Sequence, residues 1–222
     1  MAAPFEELPL FPLSTVLFPY AHVRLHVFEE RYRQLVHDCL AEDGTFGIVL
    51  IRSGSEVGGP SEPYLVGTAV RILKVDKFDD GRMDIQVVGE RRFRIRRLDE
   101  SKPYLTGFVE PVIEIEPEDT PRADALALKA REDFQLWVTQ TLGRRDLGVQ
   151  IRFPEDRVAL SFAIANALGI DDLEKQRLLE LTDTVERLAG LIPHLEMQII
   201  EADVPTITRL HPQDLAEYLF KN

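Results

Sequence analysis

Three prolines constrain how the first thirty-five residues can fold. The stretch Leu8 to Leu35 reads LPLFPLSTVLFPYAHVRLHVFEERYRQL, with Pro9, Pro12 and Pro19 set among Leu8, Leu10, Phe11, Leu13 and Phe18. Proline removes a backbone donor and fixes φ, so none of the three is expected in the middle of a paired central strand. The apolar residues between them still demand burial. A short edge strand, two turns and a threading segment packed on a β core would satisfy both demands. Aromatic–proline bonds are among the places where a cis peptide occurs, which makes Phe18–Pro19 a candidate shaped turn.

The chain that follows reads mainly as β up to about Glu118. His22 to Phe28 alternates, with Val23, Leu25 and Val27 on one face. Glu29 to Leu40 places Tyr32, Leu35, Val36 and Leu40 at helical spacing, and Asp43-Gly44 closes that helix. Phe46 to Ile51 is continuously apolar and of strand length, as a strand buried on both faces would be. Residues 53–63, rich in Gly, Ser and Pro, form the clearest loop. Leu65 to Phe78 and Met83 to Val88 predict a hairpin about Asp79-Asp80-Gly81. Arg91 to Leu98 predicts a separate strand after Gly89, and Tyr104 to Ile115 a last one broken by Pro111. About six or seven strands with one inserted helix imply a small, twisted, partly closed barrel.

Composition changes at the acidic, proline-containing linker Glu116 to Pro121, and the remainder reads as helix. Asp124 to Leu142 puts Leu126, Ala130, Phe134, Trp137, Val138 and Thr141 on one side, with Gly143 as the stop. Pro154-Glu155-Asp156 starts a second helix, Arg157 to Leu168, which is apolar on most sides, ends at Gly169 and should be central. Asp171 or Asp172 caps a third. Asp183 with Glu186 forms a capping box for a fourth, which runs to about Glu201 across Pro193, where a kink is expected. Pro212 to Phe220 is a candidate short helix within a tail, 202–222, for which folding back and docking separately are both open. The fold class is therefore α+β, with a β-rich unit over 1–118 and a helical unit over 119–222.

The net charge of −12 is shared evenly along the chain and disfavours nonspecific binding to nucleic acid or anionic membrane. With Cys39 alone there is no internal disulfide framework and no thiolate metal cluster. Acidic residues in MAAPFEELPLF stand where a signal peptide needs basic ones, and no apolar run approaches the ~20 residues that span a bilayer. A cytoplasmic location is expected.

The ordered blocks LPLFPLSTVLFPYAHVRLHVFEERYRQLVHDCL, FGIVLI, VGTAVRI and VVGERRFRI resemble the N-terminal domain of Lon proteases. The helical half continues the resemblance through LSFAIANALG and LEKQRLLELTDTVERLAGLI, so that it covers residues 8 to about 200. The resemblance implies a PUA-like β pseudo-barrel followed by a helical bundle. Within full-length Lon that region engages protein substrates and contributes to assembly. The chain has no G-x-x-x-x-G-K-[ST] phosphate loop and lacks the Ser-Lys peptidase region, so the resemblance implies the recognition module standing alone.

Candidate sites are few. His22 and His26 share an H-x-x-x-H spacing, but on a strand their side chains stand about 13 Å apart, too far for one ion. The serines include no nucleophile elbow. Asp79-Asp80, Asp171-Asp172 and Glu29-Glu30 sit where turns and helix starts want carboxylates. Arg91 to Arg97 is the strongest basic cluster, and alternation puts Arg92, Arg94 and Arg96 on one face, either paired with acidic neighbours or offered to RNA. Phe11, Phe18, Pro19 and Tyr20 are the candidates for an apolar peptide-binding groove, with core packing as the structural reading.

The leading expectation is a non-catalytic protein- or peptide-recognition module that needs no cofactor or metal. Its partners would be unfolded or client proteins, a protease, or a second copy of itself. An RNA-binding module using the Arg91–Arg97 stripe and a small hydrolase with an unrecognised site are the other classes. A cleft between the β and α parts would favour peptide binding.

Overall fold

The computed structural model describes residues 5–59, 61–115, 120–141 and 152–203. Most of the expected linker, the expected helix stop at Gly143 and nearly all of the tail with its Pro212–Phe220 helix lie outside the described residues. The element order is β1 (Glu6–Leu13), β2 (His22–Val27), α1 (Glu30–Ala41), β3 (Thr45–Gly54), β4 (Ser61–Pro63), β5 (Val66–Lys77), β6 (Met83–Asp99) and β7 (Thr106–Pro111). The helices α2 (Thr120–Thr141), α3 (Arg157–Ala167), α4 (Asp172–Glu180) and α5 (Thr184–Asp203) follow. The architecture is mixed, with a largely antiparallel sheet and five helices among the described residues.

Pro19 stands in a turn, as the sequence suggests, while Pro9 and Pro12 share one strand with two partners. Pro9 and Pro12 lie inside β1, which is paired on both sides of the sheet. Glu6–Pro9 pair antiparallel with β7, and Leu10–Leu13 pair parallel with β3. The strand thus changes partner at its midpoint. Each proline sits in a half with a single partner, the condition an edge strand meets, and this is how β1 tolerates two missing donors. The pairings β1–β7–β6–β5–β3 return to β1, while β2 adds to β6 and β4 adds to β3.

The strands expected over Met83–Val88 and Arg91–Leu98 are one strand, β6, which runs through Gly89. Gly89 is a point of close approach and not a terminus. A Cβ there would lie 2.4 Å from the Phe18 carbonyl oxygen. The turn after Phe18 docks on this spot, with Tyr20 N–H donating to Gly89 O at 2.8 Å and Gly89 N–H donating to Ala21 O at 2.9 Å.

Three apolar clusters follow from the alternation of side chains along the strands. Leu8, Leu10, Val49, Ala69, Phe93, Ile95 and Val109 come from all five strands of the returning path. A second cluster joins Phe11, Leu13, Phe46, Ile48, Val70 and Ile85 to Tyr32, Leu35 and Val36 of α1. Phe46 and Ile48 therefore face one cluster and Val49 another, as a strand buried on both faces requires. The third joins Val16, Phe18, Leu50 and Val66 to the helices through Leu160, Ile164, Leu178, Leu188 and Leu195. The first twenty-one residues thus feed all three clusters.

The helices start on the expected acids. Asp156 accepts from Ala159 N–H at 2.7 Å, Asp171 from Glu174 N–H at 2.9 Å and Asp183 from Val185 N–H at 2.7 Å. On α2 the fully buried residues are Ala123, Ala127 and Ala130, with Leu126, Phe134 and Trp137 half-buried beside them. Small residues let α2 approach its neighbours closely; the larger side chains cover the flanks.

Candidate functional site

The predicted aromatic groove is not formed by its four residues. Phe18 is fully buried, with its ring 6.0 Å from that of Phe162 of α3. Pro19 is buried, and no cis peptide occurs among the described residues, so the Phe18–Pro19 bond is trans. Phe11 is buried and stacks on Tyr32 at 4.0 Å. Only Tyr20 is exposed, at a φ of 67°. The cause lies in the path of residues 14–21 across the seam between sheet and helices. Thr68 Oγ1 donates to Leu17 O at 2.6 Å and Thr15 Oγ1 to Asp172 Oδ1 at 3.2 Å, so Phe18 is drawn inward between them.

The basic stripe divides in the same way. Arg96 is exposed and pairs with Glu110, Arg94 is half-buried, and the register slips by one residue between Ile95 and Arg97. Arg92 is buried and faces the helices. Its guanidinium donates to Leu179 O at 2.6 Å, to Leu181 O and to Glu114. From α5, Arg187 reaches the same carboxylate at 2.9 Å, Ser161 Oγ at 2.8 Å and Leu181 O at 2.6 Å. Both guanidiniums lie against the Phe162 ring, Arg187 at 4.1 Å and Arg92 at 5.3 Å from its centroid. The seam where a cleft would favour a peptide is filled by this network and the helical cluster. One signal for it was legible: Arg187 falls on the same helical stripe as Leu188, Leu191 and Leu195, where a charge needs buried partners.

An open surface lies elsewhere, around β2. Among the described strands β2 pairs with β6 alone, so its other edge carries no strand. Phe28, 46% exposed, and Val57, 55% exposed, line the pocket beside that edge, while Phe78, 44% exposed, lies across β6 at the β5–β6 turn. The His26 ring bridges two of them, 6.0 Å from Phe28 and 6.1 Å from Phe78. His26 Nδ1 lies 2.6 Å from Asp84 Oδ1, and Arg24 donates to Asp84 Oδ2 at 2.7 Å. The bond with His26, and then that from Arg24, hold the Asp84 carboxyl below the usual carboxylate range. A pocket of about 150 Å³ opens along β2, with Phe11, Leu13, Leu25 and Tyr32 in its lining and Phe28 and Val57 at its lip. Phe11 thus lines this pocket as a buried wall. Sequence reasoning missed Phe28, Val57 and Phe78, because exposure of a lone apolar residue in a turn leaves no periodic trace. Among the described residues no group of His, Cys, Asp and Glu is placed to hold a metal ion.

The family model for the ATP-dependent protease La (LON) substrate-binding domain matches residues 7–197, and the chain belongs to that family. It is 32% identical over 199 residues to Lon protease 2 of Syntrophobacter fumaroxidans, covering 87% of this chain and 25% of that protein. The chain spans about a quarter of the length of the curated relatives it matches. Among solved structures it resembles the Lon N-terminal domain protein from Xanthomonas campestris, with a TM-score of 0.57 at 30% identity over 85% of this chain and 98% of the other. The N-terminal domain of the Mycobacterium avium complex Lon protease gives a TM-score of 0.66 at 22% identity over 86% and 98%, a likeness of fold. No described helix is long and apolar enough to cross a membrane.

Proposed function

We propose that the chain is a non-catalytic recognition module that takes extended, apolar segments of other proteins along the open edge of β2. On this reading the returning strand path is a PUA-like pseudo-barrel over 1–118, and the helices over 119–222 are a bundle that braces it. Membership of a substrate-binding-domain family supports the kind of partner. The carrying observation is the coincidence of an unpaired strand edge with two exposed large apolar side chains, Phe28 and Val57, and a small pocket of mixed lining. An edge strand offers main-chain donors and acceptors to any extended chain, and the pocket beside it reads alternate side chains. A pocket of this size accommodates one ring-sized side chain against Phe11, Leu13, Leu25 and Tyr32, with Arg24, His26, Glu29 and Glu56 as its polar lining. The RNA reading is weaker, since Arg92 is buried and Arg91, Arg96 and Arg97 each pair with a carboxylate.

The test is fluorescence polarisation with a labelled, unstructured peptide carrying apolar residues at alternate positions. The chain should bind it, and a Phe28→Ser, Val57→Ser double variant should bind at least tenfold more weakly. N-methylation of the peptide's amides on one edge should abolish binding, because an added strand uses those N–H groups. Equal binding of the methylated and plain peptides, or none of either, would refute the assignment.

A further inference from the structure

Tyr32, in the first turn of α1, is 4% exposed and stacks its ring on that of Phe11. A buried phenol ordinarily finds a hydrogen-bond partner, as Tyr104 does in donating to Asp38 at 2.8 Å. The Tyr32 hydroxyl makes no hydrogen bond to any described residue. The unpartnered side-chain atoms that are sealed from solvent do not include it, so this hydroxyl reaches open space. Burial pushes the phenol up to about 12, with Arg31 opposing the rise and Glu29 and Glu56 adding to it. It therefore stays protonated at neutral pH and can both donate and accept.

Tyr32 walls the β2 pocket and a second pocket of about 200 Å³. The two carboxylates that act on its hydroxyl, Glu29 and Glu56, line the β2 pocket and not the second one, which places the hydroxyl on the β2 side. Each carboxylate also has an oxygen to spare. Glu29 Oε2 accepts from Gly58 N–H at 3.1 Å and Glu56 Oε2 from Ser14 N–H at 2.7 Å, while Oε1 of each accepts from no described residue. The pocket thus sets an apolar wall beside polar atoms that the fold leaves unused. We propose that Tyr32 makes the β2 pocket selective for a tyrosine of the bound segment, whose ring packs on Phe11, Leu13 and Leu25 while its hydroxyl bonds that of Tyr32. The proposal rests on the β2-edge reading of function and adds which side chain fills the pocket. A phenylalanine would displace water from the Tyr32 hydroxyl and return no hydrogen bond, which loses affinity. A lysine would reach the free carboxylate oxygens but bring no ring to the apolar wall.

Two measurements test the selectivity. The polarisation assay compares three labelled peptides identical except for tyrosine, phenylalanine or lysine at the anchor position. The tyrosine peptide should bind at least fivefold more tightly than either of the others. Tyr32→Phe keeps the ring on Phe11 and should bring the tyrosine and phenylalanine peptides within twofold of each other by weakening the first. Independently of any peptide, Tyr32→Phe should unfold at the parent's urea midpoint or above it, because no bond within the protein is lost. A clearly lower midpoint would show that the hydroxyl serves the fold, and overturns the assignment. Equal binding of the tyrosine and phenylalanine peptides, tightest binding of the lysine peptide, or a tyrosine preference that survives Tyr32→Phe also overturns it. Those three outcomes leave the β2-edge site standing through the Phe28→Ser, Val57→Ser result, whereas binding of none of the peptides removes both.

Discussion

Arg187 and Glu114 meet at 2.9 Å across the seam between sheet and helices, and Arg92 reaches the same carboxylate from β6. Two guanidiniums share one carboxylate, and carbonyls, hydroxyls and the face of Phe162 satisfy the surplus positive charge. Burial pulls both arginines below their ordinary values, Arg92 to about 10, and Glu114 opposes that shift in each. Among the described residues Glu114 is the one carboxylate bonded to both guanidiniums, so the network depends on it. Glu114→Gln should cost about 3–5 kcal/mol in urea unfolding, because it strands two buried cations. Ser161→Ala, which removes one of several acceptors from Arg187, should cost only about 1 kcal/mol.

Arginines four residues apart on one strand carry opposite expectations. Arg96 is exposed and its pairing with Glu110 is solvent-screened, so Arg96→Ala should change stability by under about 1 kcal/mol. Arg92→Ala leaves Glu114 to Arg187 alone and opens space against Phe162, and should cost about 3 kcal/mol or more. Parallel urea titrations of the two variants settle whether the stripe is a surface or a strut. Equal midpoints would remove the strut.

Much of this fold was legible in the residues. Helix starts at Asp156, Asp171 and Asp183 could be read because a cap is a local event. The doubly buried β3 was legible from an unbroken apolar run. What escaped depends on contacts remote in sequence. Pro9 and Pro12 looked confined to a short edge strand or to turns, since nothing local announces a strand that changes partner at Leu10. Gly89 looked like a strand end, since the Phe18 carbonyl that requires it lies seventy-one residues away. The same distance hid the fate of Phe18: a proline-flanked aromatic reads alike whether it faces solvent or Phe162. At the β2 edge, alternation identified the strand but did not reveal that one side of it would lack a partner.

The Gly89 contact makes a direct prediction. A Cβ at 2.4 Å from the Phe18 oxygen overlaps a carbonyl that is itself fixed by the turn and by the Thr68–Leu17 bond. Gly89→Ala should therefore destabilise by about 1–3 kcal/mol through displacement of the 18–21 turn. Thr68→Val, which loosens that turn, should reduce the cost of Gly89→Ala when the two are combined. A double-mutant cycle with no coupling would separate the two contacts.

Tyr104 and Asp38 give the chain a pH signature. Tyr104 Oη donates to Asp38 Oδ2 at 2.8 Å, and Gln34 Nε2 donates to Asp38 Oδ1 at 2.6 Å. The bond from Tyr104 is the chief cause holding the Asp38 carboxyl below its ordinary value, while burial, and then Asp38 itself, push the Tyr104 phenol upward. Asp38 is lowered on folding, so its contribution is present above the unfolded carboxylate value near 3.9 and is lost as pH falls through the lower folded value. Tyr104 is raised on folding, so its contribution is complete below the ordinary phenol value near 10 and is lost as pH rises through the higher folded value. Tyr104→Phe keeps the buried ring and deletes only the hydroxyl. The stability gap between the two proteins should form a plateau between about pH 5 and 9, closing in acid as Asp38 protonates and in alkali as the phenol ionises. Urea midpoints across pH 2.5 to 11 trace that shape, and a gap independent of pH would mean that the hydroxyl stabilises the fold by some route other than this bond.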